Sequence, residues 1–129
     1  GSITHRTKNT DLSHQVMIYK AAGLLDRYVS QLDALEVIEL FFIAINQKDN
    51  DLMKLIYNGD ISNMATIEHI RMITTESIPT VNGALELEIP ITYKLKKHGH
   101  LEKEKTFIFK VNRDSPTNRW QLTNVPYHK

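Results

Sequence analysis

The 129-residue chain contains no cysteine. That excludes disulfide cross-links, thiol nucleophiles and zinc sites built on thiolates. It assigns no compartment, because secreted bacterial domains of this size often fold without disulfides. No stretch approaches the ~18 consecutive apolar residues of a spanning helix; the longest run, Leu40 to Ile45, falls far short. Neither charge sign dominates, with 16 Lys and Arg against 15 Asp and Glu for a net +1. Nothing global therefore points to nucleic acid or anionic lipid. A glycine-rich phosphate loop, a Gly-x-Ser-x-Gly elbow and an Asn-x-Ser/Thr sequon are also missing. So is a signal peptide, and the opening Gly1-Ser2 without methionine reads as a cloning scar on an excised fragment.

What is present suits one α+β domain. A chain of this length buries roughly two-thirds of the surface its unfolded form exposes, and 41% hydrophobic residues supply the core. Residues 1–10 are polar and basic and are expected to be a flexible edge, leaving 11–129 as the folded domain. From Thr10 or Asp11 a helix is predicted, with Ile18, Ala21, Ala22, Leu25, Tyr28, Val29 and Leu32 on its apolar face and Lys20, Gly23, Arg27 and Ser30 opposite. Asp33 and Glu36 have the spacing of a capping box and open a second helix, Ala34 to Gln47. Its narrow polar stripe of Glu36, Glu39 and Asn46 implies a helix wrapped on most sides. Asp49-Asn50-Asp51 breaks it, and a short third helix over Asp51 to Tyr57 ends at Asn58-Gly59.

After Gly59 the period becomes that of strands. Thr66 to Ile78 is the first, followed by a turn at Pro79 and Asn82-Gly83. Leu85, Leu87, Ile89, Ile91, Tyr93 and Leu95 alternate with polar residues, as in a long half-buried strand. Pro90 lies on its outward side, which places this strand at an edge or at a bulge. His98-Gly99-His100 turns into a third strand, Glu102 to Asn112, and Asp114-Ser115-Pro116 into a fourth, Arg119 to Val125. The expectation is two long helices and a short one on one face of a curved four-stranded antiparallel meander. Glu86, Glu88, Lys94, Lys96, Glu102, Glu104 and Lys110 would stay wet on the other face.

Catalysis by acid and base needs a carboxylate or histidine aimed into the space between helices and sheet. The inward row offers only Tyr93, and Asp26, Glu36 and Glu39 fall on polar stripes, so no catalytic residue, cofactor site or metal site is assigned. Tyr19, Tyr28, Tyr57, Tyr93 and Trp120 could line a pocket or rim an ordinary core; Tyr28, Tyr57, Tyr93 and Trp120 are the candidate lining. His98-x-His100 has a metal-site spacing without a third ligand nearby. Lys94, Lys96, Lys97, Lys103 and Lys105, against Glu102 and Glu104, make a candidate basic docking patch for phosphate or an acidic partner. The same lysines would also discourage edge-to-edge pairing of strands.

The helix Ala34 to Asp49 and the terminal Trp120-Gln121-Leu122-Thr123-Asn124-Val125 resemble the nuclear transport factor 2-like, or cystatin-like, cone fold over roughly Leu12 to Val125. Enzymes of that superfamily, such as ketosteroid isomerase and scytalone dehydratase, use inward Asp, Tyr or His; this chain offers no such acid. It is more similar to the extracytoplasmic domain of the VirB-eight-like proteins, bitopic assembly factors of conjugative type IV secretion channels, and among them to the Gram-positive plasmid kind. That resemblance implies a spanning helix just before Ile3, placement outside the cell membrane, and a non-enzymatic scaffold role. The implied partners are other channel subunits and the chain itself, with no direct contact to nucleic acid.

Overall fold

The computed structural model describes residues 4–59, 67–75, 80–81, 86–114 and 119–126. Four helices, α1 (Thr4–Ala21), α2 (Leu25–Val29), α3 (Ala34–Gln47) and α4 (Asn50–Ile56), precede the strands β1 (Ile67–Thr75), β2 (Thr80–Val81), β3 (Glu86–Lys97), β4 (His100–Leu101), β5 (Lys105–Asp114) and β6 (Arg119–Leu122). The long strands run antiparallel in the order β1-β3-β5-β6, with β2 and β4 as short additions along β3. The sheet is curled and open, and the helices lie on its inner side. The predicted class and layering are those observed.

The central element is α3. Asp33 accepts the Glu36 backbone N–H at 2.8 Å while the Glu36 carboxylate accepts the Asp33 N–H at 3.0 Å, the reciprocal capping box the spacing predicts. The helix ends at Lys48 in the left-handed region (φ 55°). Every residue from Val37 to Ile45 is buried. Phe41 and Phe42 meet the sheet through Phe109, with ring centroids 5.5 and 5.9 Å away, and Phe107 and Tyr93 extend the edge-to-face cluster.

Several boundaries differ from expectation. The first helix begins at Thr4, inside the segment expected to be flexible, and it stops at Ala21 because Gly23 takes a left-handed conformation (φ 75°). Leu25–Val29 is a separate turn of helix. The packed side of α1 is therefore set by Leu12 and Val16, both buried, while Ile18, Ala21 and Ala22 face solvent. The Asn82-Gly83 turn and Pro79 lie outside the described residues. Pro90 is in a central strand, not at an edge. It pairs with Ile108 of β5, and on its other flank it lies between the β1 ladder, which stops at Ile91, and the β2 ladder, which begins at Glu88.

Both outer edges of the sheet are covered by the α3–α4 region. On β1, the Asn46 side-chain amide pairs with Ile70 as another strand would: its Nδ2 donates to Ile70 O and its Oδ1 accepts from Ile70 N, each at 2.8 Å. Lys48 Nζ donates to Ile67 O at 2.6 Å. On β6, Tyr57 forms a parallel bridge with Leu122, and Gln121 Nε2 donates to Leu55 O at 3.4 Å.

Candidate functional site

Alternation along β3 divides its residues between two faces. Ile89, Ile91, Tyr93 and Leu95 are buried against the helices, and Glu86, Glu88, Pro90, Thr92, Lys94 and Lys96 stand on the outer face. β5 follows the same rule, with Phe109 and Val111 inward and Ile108 and Lys110 outward. Of the wet-face residues expected from sequence, Glu86, Glu88, Lys94, Lys96 and Lys110 lie there. Glu102 falls at the level of Leu95 and pairs with Lys105 at 3.1 Å.

The four candidate pocket residues are dispersed. Tyr93 is 3% exposed within the aromatic cluster. Tyr28 stacks on Tyr19, 4.7 Å between centroids and 9° between planes. Tyr57 bridges to β6, and Trp120 lies half-buried beneath the Arg113 guanidinium, 5.6 Å from its ring centroid. None of them lines the shallow depression of about 500 Å³ at the α3–α4 junction. That depression is bounded by Lys20, Gln47, Lys48, Asp49, Asn50 and Asp51. Its Asp49 carboxylate is committed twice, to Lys20 Nζ at 2.7 Å and to the Leu52 backbone N–H at 3.1 Å, so it caps α4 and anchors α1.

Glu39 corrects the expectation of a solvated carboxylate: it is 5% exposed, the one buried charged side chain among the described residues. Helix α3 is enclosed so completely that its nominal polar stripe survives only at Glu36 and Asn46, each half-buried and hydrogen-bonded. Asp26 is exposed and ion-paired with Arg119. His98 and His100 are both exposed at the β3–β4 turn, and no group of three His, Asp or Glu residues among the described ones is gathered to hold a metal.

The five lysines of the candidate patch separate by face. Lys94 and Lys96 are on the outer face. Lys97 is in register with the buried Ile67, and Lys105 with Tyr93, so both belong to the opposite side. Lys103 is exposed in the connection between β4 and β5. Two basic residues that the sequence reading omits, His69 and Arg71, join Lys94 and Lys96, because β1 brings them directly opposite. Alternation about the inward Ile70 puts both outward, but the pairing of β1 with β3 that sets them beside these lysines is a tertiary fact no local pattern reports.

Comparison with family models, with curated proteins and with solved structures finds no match for this chain.

Proposed function

We propose that this chain is a non-enzymatic, protein-binding assembly domain of a bacterial conjugative type IV secretion channel, held at the extracytoplasmic side of the cell membrane by a single-pass segment outside the sequence. The observation that carries the reading is the interior. Helices over a curled antiparallel sheet support the resemblance to a cone fold, and where a cone enzyme would keep a cavity, Phe41, Phe42, Tyr93, Phe107 and Phe109 pack ring against ring. A space filled in this way leaves the surfaces as the working parts. No described helix is long and apolar enough to cross a membrane, so an anchor would have to come from elsewhere. Deleting the gene in its host should abolish plasmid transfer, with recovery on complementation; undiminished transfer would overturn the proposal.

A second reading, a small-molecule-binding or enzymatic cone of isomerase or dehydratase type, is favoured by Glu39. A buried carboxylate on the central helix is the kind of group such sites employ. The two readings separate on the deletion and on Glu39→Gln together. Transfer lost on deletion and kept by a folded Glu39→Gln variant fits the scaffold, whereas transfer untouched by deletion, with a small molecule bound by the parent and not by a folded Glu39→Gln variant, favours chemistry at Glu39.

A further inference from the structure

The outer face of the sheet carries a compact grid of basic side chains at the end nearest the β3–β4 turn. Across the strands, His69 of β1 stands opposite Lys96 of β3, and Lys96 opposite Leu101 of β4. One row along, Arg71 stands opposite Lys94. The ladder continues past β4, with Glu102 N donating to Leu95 O at 2.8 Å, and the β5 register resumes with Lys105 opposite Tyr93, so Lys103 and Glu104 together fall at the level of Lys94. Strand spacing makes the grid about 10 Å wide, and its two rows about 7 Å apart. Leu101, at its corner, is 67% exposed.

The backbone assembles this grid against its own electrostatic interest. In β1 the register shifts between Ile67 and His69. From His69 to Met72 the pairing is regular, so His69 and Arg71 alternate outward on either side of the inward Ile70, and Glu68, at the shift, accepts the Gly99 backbone N–H at 3.0 Å. Glu102 is taken by Lys105. Among the described residues, Arg71, Lys94, Lys96 and Lys103 are ion-paired with no carboxylate, the exposed Glu104 nearby included. Like charges directly opposed across strands destabilise a sheet, so this arrangement does not serve folding.

We propose that this grid docks the domain onto an anionic phospholipid surface, with Arg71, Lys94, Lys96 and Lys103 at the headgroup phosphates and Leu101 entering the interface. The exposed leucine among the basic residues favours lipid over a nucleic-acid backbone, which would leave it in water, and among the described residues no exposed aromatic ring at this end offers bases a stacking platform. The cations gather at one end of the molecule, as contact with a flat membrane requires, and do not run as a stripe. This inference does not depend on the channel reading: a deletion without effect on plasmid transfer would remove that reading and leave the lipid contact standing.

The test is co-sedimentation of the whole chain with vesicles. At low ionic strength it should bind vesicles containing phosphatidylglycerol and not those of phosphatidylcholine alone, with release as salt is raised. Each lysine removed should weaken binding about fivefold, so Lys94→Gln with Lys96→Gln should lose about twenty-five-fold. Because opposed like charges are relieved, that variant should melt no lower than the parent. Leu101→Ser should lose several-fold, and Lys110→Gln, on the same face but outside the grid, should bind as the parent does. Three results would overturn the proposal: no preference for phosphatidylglycerol, binding indifferent to the Lys94 and Lys96 substitutions, or a short DNA duplex bound as tightly by Leu101→Ser as by the parent.

Discussion

Replacing Asn46 by alanine tests whether a side-chain amide closes the β1 edge. The substitution deletes two hydrogen bonds of 2.8 Å to the backbone of Ile70, each contributing about 0.5–1.5 kcal/mol net. Against that loss, alanine is the better helix former by about 0.6 kcal/mol. The balance is a destabilisation of about 1.5 kcal/mol, the hydrogen bonds winning. For a domain of this size it corresponds to a fall in melting temperature of about 6 °C. Asn46→Asp sharpens the test, since it keeps an acceptor for Ile70 N and sets a second oxygen against Ile70 O. The neutral carboxyl can donate to that oxygen and the anion cannot, so folding raises the pKa of this introduced group. The favourable contact is then present at low pH and lost as pH rises through the raised folded pKa. Measured against the parent at each pH, Asn46→Asp should be most destabilised near neutrality and recover on acidification. Denaturant titration reads the energies, and amide exchange at Ile70 reads the contact itself. An Asn46→Ala protein with parental stability and an equally protected Ile70 amide would refute the reasoning.

Phe41, fully buried against Phe42 and Phe109, should cost about 3–5 kcal/mol on truncation to alanine, measured by urea unfolding; a loss below 1 kcal/mol would mean a loosely filled interior. Asp49→Ala removes a cap and an ion pair together and should cost about 1–2 kcal/mol, whereas Lys20→Ala, at a lysine whose side chain is 43% exposed, should cost under about 1 kcal/mol. Equal losses for the two would contradict the capping role. A Cβ at Gly59 would sit 2.5 Å from Tyr57 Cζ, so Gly59→Ala should displace the ring and weaken the bridge to Leu122. The double variant with Tyr57→Ala should then be less than additive in thermal melts.

The parts of this fold that were legible are those governed by local rules. The Asp33–Glu36 box and the apolar run behind it define α3 to the residue, because capping geometry and burial point the same way. The alternation from Leu85 to Leu95 identifies the inward face of β3 for the same reason. Gly23 was passed over because an amphipathic repeat continues across it, and only its positive φ shows that the helix stops. Glu39 and Asn46 sit on what reads as a polar stripe, yet both are claimed by tertiary packing that no local pattern reports. The outer-face grid was half visible: Lys94, Lys96 and Lys103 stand out as a lysine-rich hairpin. His69 and Arg71 join them through the pairing of β1 with β3, which the local pattern of neither strand reports.

The two covered edges of the sheet have a joint consequence. Asn46 and Lys48 screen β1, Leu55 and Tyr57 screen β6, and all four belong to one short stretch from the end of α3 to just past α4. Undocking that stretch would bare both margins of the sheet in a single event, turning a closed fold into a template that can recruit strands on either side. Resistance to fibrillar aggregation should therefore track the local opening of residues 46–57 more closely than global stability.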